Sequence, residues 1–291
     1  MSQRNEYYPA KLLLFGEYTV LSGSQALAIP LNKWQGKWVK GEKANQFPSE
    51  GLHNYVIWLE NNMLIDTETS LKIMTDFRNG WTYLSDIPRG YGIGSSGALV
   101  AALYDRYFTS SGILEENQSA MAKMEAYFHG ASSGLDPLIS YTQKAVYKDE
   151  GGHFHSVDDP GWPDGFNVYL LDAGTDRETG PLVSRYKILM QDPGFAEKVN
   201  RYFIPMVEHA LHFYLLGENK MIEEGMSQIS QFQREFFKDM IPEHVARQWD
   251  ELVSRPGVYV KLCGAGGGGY FLVISSGARD DLISSELIAL N

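Results

Sequence analysis

Several short stretches of this chain combine residue types and spacings suited to handling a phosphorylated ligand. The first is Gly92-Ile-Gly-Ser-Ser-Gly97, which runs directly into a helical pattern. Glycines let the backbone come close to an anion, and a helix N-terminus adds N–H groups and the positive end of a dipole. Ser95 and Ser96 place two hydroxyls at that same end. Gly92, Gly94 and Gly97 also satisfy the G-x-G-x-x-G spacing of a dinucleotide-binding turn. That fold needs a good parallel strand beforehand, and Ser85-Asp-Ile-Pro88 is a poor one. The loop also lacks the lysine of the G-x-x-x-x-G-K-[ST] type. A capped helix start whose glycines serve packing is the plainer alternative.

Two carboxylates, Glu125 and Asp136, flank His129-Gly-Ala-Ser-Ser-Gly134, a segment able to turn the chain so that both face one cleft. Phosphoryl transfer needs a magnesium ligand and a group to accept or orient the acceptor's proton. Taken alone, Asp136 reads as a helix cap ahead of Pro137. Lys11 sits on an apolar strand before Leu12-Leu-Leu-Phe15, where a buried lysine has to find an anionic partner such as Asp136. An edge-strand lysine is the alternative, and Glu17 carries the same ambiguity. A second glycine run, Gly264-Ala-Gly-Gly-Gly-Gly269, exceeds what a tight turn requires. Backbone contact with an anion or close packing of a hairpin would each account for it.

The elements that must position these residues change character along the chain. Lys11 to Phe15 predicts a buried strand broken at Gly16-Glu17-Tyr18, with β-prone pattern at Thr19 to Leu21 and Gln25 to Ile29, and another strand at Trp34 to Lys40. Tyr55 to Asn62 has helical spacing, whereas Leu71 to Phe77 and Trp81 to Ser85 resemble strands around Arg78-Asn79-Gly80. Helices are expected from Gly97, over Glu116 to Phe128, and from Asp136. Gly151 to Gly165 has no periodicity and reads as a seam between domains, placed at 1–160 and 161–291. Beyond it come a strand at Phe166 to Leu171, helices over Gly194 to Leu216 and Asn219 to Lys238, strands at Tyr259 to Leu262 and Tyr270 to Ile274, and a closing helix from Arg279 to Leu290. The fold class is α+β.

Bulk composition narrows the partners. The net charge of -11 disfavours nucleic acid and anionic membrane, which need a basic surface. Cys263 is the only cysteine, so no internal disulfide or cysteine-built zinc site is expected. That count fits a reducing compartment and a cytoplasmic protein is expected, and with no apolar stretch of signal-peptide length at the N-terminus and none of membrane-helix length, a soluble one.

In order and separation, three segments resemble the motifs of the galactokinase, homoserine kinase, mevalonate kinase and phosphomevalonate kinase superfamily. They are Pro9-Ala-Lys-Leu-Leu-Leu-Phe-Gly-Glu-Tyr-Thr-Val-Leu21, Pro88-Arg-Gly-Tyr-Gly-Ile-Gly-Ser-Ser-Gly97 and Lys261-Leu-Cys-Gly-Ala-Gly-Gly-Gly-Gly269. Within it the mevalonate kinase branch is nearest. Glu125 stands eleven residues before Asp136 with His129-Gly130 and Ser133-Gly-Leu-Asp136 between, and Asp172-Ala-Gly-Thr-Asp-Arg177-Glu-Thr179-Gly-Pro-Leu-Val183 resembles an Arg-x-Thr…Leu-Val segment. Tyr18 stands where that branch carries histidine and is closer to phosphomevalonate kinases, while Gly97 replaces the usual alanine in a change that conserves shape.

The resemblance implies a domain like the second domain of ribosomal protein S5 followed by a ferredoxin-like domain. It implies ATP and Mg²⁺ as cofactors, a small-molecule alcohol, mevalonate, as acceptor, and a monomer or homodimer. Pro88, Gly90, Gly92, Ile93, Gly94, Ser95, Ser96 and Gly97 would bind nucleotide, and Ser96 with Glu125 would hold Mg²⁺. Asp136 would act as base, with Lys11 polarising the acceptor hydroxyl; Glu17, Tyr18, Thr179, Gly264, Ala265 and Gly266 would complete the substrate site with them. The alternatives are phosphomevalonate kinase or another kinase of the superfamily, its decarboxylase branch, and a non-catalytic nucleotide- or metabolite-binding protein. A phosphorylated acceptor would call for extra cations, for which Arg177 and Arg185 are candidates.

Overall fold

The computed structural model describes residues 5–41, 50–162, 164–176, 179–277 and 287–290, apart from the side chains of Glu50 and Thr179. The chain is α+β, with two sheets and helices around each. It divides into two compact units: residues 1–11, 30–88 and 94–146, and residues 12–29, 89–93 and 147–291. The segment Gly151 to Gly165, expected as a seam, falls within the second unit and contains a short strand.

One sheet contains β1 (Tyr8–Phe15), β2 (Ala26–Lys40), β3 (Trp81–Ser85), β4 (Ala145–Lys148) and β5 (Phe154–Val157), in the order β1-β2-β4-β5 with β3 also on β2. The strands expected at Gln25 to Ile29 and Trp34 to Lys40 are therefore one, whose far end pairs antiparallel with β3 from Gly36↔Ser85 to Lys40↔Trp81. Thr19 to Leu21 is not a strand. It forms a single 3₁₀ turn, Thr19–Ser22, because Tyr18 at φ 64° and Gly23 at φ 87° bend the chain sharply at either end.

In the first unit, α1 (Glu50–Asn61) and α2 (Thr67–Arg78) precede β3, followed by α3 (Ser95–Tyr107), α4 (Leu114–His129) and α5 (Leu135–Thr142). Residues Leu71 to Phe77, expected as a strand, belong to α2. Its N-cap Asp66 accepts a hydrogen bond from Thr69 N–H at 2.7 Å, and Ser70 and Ile73 are buried one turn apart, which outweighs the β-branched content. Helix α3 buries the small face Gly97, Ala98, Ala101 and Ala102, which lets it lie close to its neighbours, and α5 is packed against it.

The second unit is built on an antiparallel sheet of β6 (Phe166–Asp172), β7 (Val258–Leu262), β8 (Tyr270–Ser276) and β9 (Leu287–Ala289), ordered β7-β8-β6-β9. Val168, Leu170 and Phe271 to Ile274 are fully buried in it. Around it run α6 (Thr179–Leu189), α7 (Pro193–Lys198), α8 (Ile204–Leu216), α9 (Asn219–Phe236) and α10 (Glu243–Val253). A π-helical turn at Val199–Phe203 joins α7 to α8, so Gly194 to Leu216 is helical as expected. The closing helix expected over Arg279 to Leu290 is contradicted at Leu287–Ala289, which pairs with Tyr169 to Leu171; residues 278–286 lie outside the described set. Among the described residues no helix is long and apolar enough to cross a membrane.

Candidate active site

The chemistry-bearing residues of the first unit converge on the start of α3. Gly94 is the N-cap at φ 79°, and the first helical bond is Ala98 N–H to Gly94 O at 2.9 Å. The N–H groups of Ser95, Ser96 and Gly97 therefore precede the helical ladder, at the positive end of the helix dipole. A Cβ at position 94 would lie 2.8 Å from Lys11 Cγ and 3.6 Å from Asp136 Oδ2, so glycine brings the loop backbone directly alongside those two side chains.

Lys11 comes from β1, where its neighbours are buried, and its Nζ meets Asp136 Oδ1 at 3.0 Å with side chains 9% and 30% exposed. Asp136 is not a helix cap. Gly134 occupies that position in a left-handed conformation, and Leu138 N–H bonds its carbonyl at 3.1 Å. Asp136 falls in the first turn with Pro137 beside it, where a missing N–H costs nothing, and its carboxylate is directed to Lys11. Ser140 of α5 donates to the Pro9 carbonyl of β1 at 2.7 Å, fixing the two elements that carry the pair.

Glu125 lies near the end of α4 and is 3% exposed. Its Oε1 accepts from Ser96 Oγ at 3.2 Å and its Oε2 from Ser132 Oγ at 2.5 Å. Burial, and then the charge of Asp136, push its pKa up to about 7, against the pull of Ser132, Lys11 and Ser96. Ser96 Oγ also stands 2.9 Å from His129 Nε2, one helical turn beyond Glu125. Among the described residues no group of three or more His, Cys, Asp or Glu gathers as a metal cage. A buried carboxylate with one hydroxyl beside it is instead a donor set of the hard-oxygen kind that Mg²⁺ takes when phosphates and water supply its other ligands.

A second group of residues gathers in the other unit. Glu17 and Lys261 form an ion pair with side chains 1% and 2% exposed, and the same ammonium donates to the Leu262 carbonyl at 2.6 Å. Tyr18 is buried, packs on Tyr186 and Phe237, and donates its phenol proton to Ala265 O at 2.5 Å. Glu17 and Tyr18 thus tie the first motif to the third. The glycine run Gly264 to Gly269 links β7 to β8, and its tightness is explained by packing: a Cβ at Gly269 would lie 2.6 Å from Tyr91 O, and one at Gly266 2.2 Å from Met240 O. Gly264 stays partly exposed while Ala265 and Gly266 are buried. Of the middle loop, Pro88 is half-buried, Gly90 exposed, Gly92 intermediate and Ile93 buried. Arg177 and the side chain of Thr179 lie outside the described residues, and Arg185 is held by Asp239 at 2.6 Å.

The sequence marks Lys11, Ser96, Glu125 and Asp136 as site residues but assigns no site role to Ser132, His129 or Lys261, which contact Glu125, Ser96 and Glu17. The i, i+4 spacing of Glu125 and His129 on one helix was a usable signal. Nothing local in the sequence announces the Ser132 or Lys261 contacts, because each partner is set by the tertiary fold.

Residues 62–144 match the model of the GHMP kinases N terminal domain. Along nearly the whole chain there is similarity to mevalonate kinase of Pyrococcus abyssi, 25% identical over 97% of this chain and 91% of that protein. The fold is shared with L. major mevalonate kinase in complex with R-mevalonate, at TM-score 0.66 and 17% identity over 96% of this chain and 89% of that one. It is shared equally with Lactococcus lactis galactokinase complexed with galactose, at TM-score 0.66 and 14% identity over 95% and 87%. The chain thus carries a match to the GHMP kinases N terminal domain over residues 62–144, is similar to mevalonate kinases along nearly its whole length, and shares a two-domain α+β fold with kinases of different acceptors.

Proposed function

We propose that the chain is a mevalonate kinase, moving the terminal phosphoryl group of ATP to the 5-hydroxyl of (R)-mevalonate. The match to the GHMP kinases N terminal domain and the similarity to mevalonate kinases support ATP-dependent phosphoryl transfer to a small molecule in general. The acceptor rests on the similarity to mevalonate kinases and on the residues around Asp136. The observation that carries the reading is the 3.0 Å pair of Lys11 and Asp136 at the glycine-lined start of α3.

In this reading the bond between the γ-phosphorus and the β,γ-bridging oxygen breaks as a bond to the acceptor oxygen forms, and the hydroxyl proton passes to Asp136. Lys11 sits where its charge orients Asp136 and neutralises oxygen charge on the acceptor side. The N–H groups opening α3, with Pro88, Gly90, Gly92, Ile93, Gly94, Ser95, Ser96 and Gly97, cradle the diphosphate. Ser96 and Glu125 are the residues that would hold Mg²⁺, which when bound neutralises charge on the phosphate oxygens. Because the transition state is loose, positioning and charge neutralisation supply most of the rate.

Two observations bear on the nearest alternative, phosphomevalonate kinase. Tyr18, the residue that pointed to it, is buried and engaged with Ala265, and the Arg185 guanidinium is engaged with Asp239. Tyr18 brings no positive charge, and the charge of Arg185 is already paired with Asp239. Replacing Asp136→Ala should lower turnover by roughly 10³-fold or more while nucleotide affinity changes little. Near-normal turnover in steady-state assays would remove Asp136 from the chemistry and with it the mechanism.

A further inference from the structure

Resting on the reading of Glu125 as the magnesium-holding carboxylate, we infer that Ser132 is a positioning residue that makes Glu125 present a single oxygen to the metal and so sets preference for small octahedral cations over Ca²⁺. The two carboxylate oxygens of Glu125 are not equivalent. Oε2 accepts from Ser132 Oγ at 2.5 Å, whereas Oε1 faces Ser96 Oγ at 3.2 Å, the other member of the donor set.

The direction of the Ser132 hydroxyl is fixed by its surroundings. Its oxygen accepts the Gly134 N–H at 2.9 Å, which leaves the proton to point at Glu125. The segment is pinned in turn: Gln118 of α4 donates through Nε2 to the Ser133 carbonyl, and Gly134, at φ 70°, leaves no room for a side chain, since a Cβ would lie 2.6 Å from the Gln118 carbonyl. Ser132 and Glu125 are therefore held from the same helix.

Carboxylate denticity separates the two kinds of cation. Mg²⁺ demands near-ideal octahedral geometry and takes carboxylates through single oxygens, while Ca²⁺ accepts six to eight oxygens and readily uses both oxygens of one carboxylate. A hydroxyl proton held on Oε2 opposes the second mode and leaves the first open. Groups that orient a ligand in this way typically change metal affinity by about 10- to 100-fold when removed.

The test uses the whole chain with ADP present, Mn²⁺ as a paramagnetic stand-in for Mg²⁺, and Ca²⁺ as competitor. Free Mn²⁺ is read by electron paramagnetic resonance for the native protein, Ser132→Ala and Ser132→Thr. Ser132→Ala should weaken Mn²⁺ binding about tenfold and reduce the Mn²⁺ to Ca²⁺ preference, with Ser132→Thr restoring both. The apparent metal requirement for turnover should shift in parallel. Native-like Mn²⁺ affinity and Ca²⁺ discrimination in Ser132→Ala would overturn the inference, as would no Mn²⁺ binding by the native protein, or equal loss in Ser132→Thr. Native protein that binds Mn²⁺ as described yet phosphorylates no acceptor would refute the proposed function and leave this role of Ser132 standing.

Discussion

At the scale of single residues the site is a balance of charge in little water. Lys11 supplies one positive charge against Asp136 at 3.0 Å, and Glu125 lies buried nearby with the Ser96 and Ser132 hydroxyls donating to its oxygens. Its pKa, pushed up to about 7 from the usual 4.5, has a defined consequence. A carboxyl harder to ionise folded than unfolded contributes stability that is complete below the unfolded value and lost as pH rises through the folded one. Glu125→Gln cannot ionise and escapes that loss. In chelator-treated protein, the melting temperature of Glu125→Gln relative to the native chain should therefore climb between about pH 5 and about pH 8. A difference that stays constant across that window contradicts the burial argument. Lys11 and Asp136 could be paired from sequence because a lysine in an apolar strand demands an anion. The cap assigned to Asp136 was wrong because Gly134, with its left-handed backbone, starts α5 earlier.

At the scale of elements, close backbone approach decides what each motif tolerates. Gly97 faces α5, and a Cβ there would lie 2.8 Å from the Asp136 Cβ and carbonyl carbon and from Pro137 N. The family's usual alanine is thus not equivalent in this chain, contrary to the expectation of conserved shape. Helix propensity favours Gly97→Ala by about 1 kcal/mol, but displacing α5 costs more, on the order of 1–3 kcal/mol. The substitution should lower kcat about 10- to 100-fold by moving Asp136, with a smaller change in the KM for ATP. Unchanged kcat would show that α5 yields without moving its carboxylate.

The Glu17 and Lys261 pair belongs to the same scale, since it joins the turn after β1 to the strand before the glycine run. Lys261→Met strips a buried carboxylate of its cation and should cost about 3–5 kcal/mol in urea denaturation, part of which Glu17→Gln recovers in the double variant. Loss under about 1 kcal/mol would mean the pair is dispensable. Elements with strong periodicity, such as α3, α4, β6 and β8, were legible in the sequence. Helix α2 was not, because its cap Asp66 and its buried Ser70 and Ile73 counted for more than the run of β-prone residues between Leu71 and Phe77.

At the scale of the whole molecule the sequence carried the fold class and the resemblance to GHMP kinases, because three motifs in register constrain a chain far more than any one of them does. It could not carry the assignment of Glu17, Tyr18 and Lys261 to one cluster, whose members are up to 244 residues apart. A net charge of -11 disfavours nucleic acid and anionic membrane, so a phosphorylated ligand would be met by cations placed locally rather than by a basic surface. The fold is common to kinases of unlike acceptors, so the acceptor has to come from measurement. A coupled assay of ADP release with Mg²⁺ and ATP, run across mevalonate, phosphomevalonate, homoserine and galactose, tests it most directly. Strong turnover with mevalonate alone is the predicted result; preference for any of the other three, or ADP release with none, would contradict it.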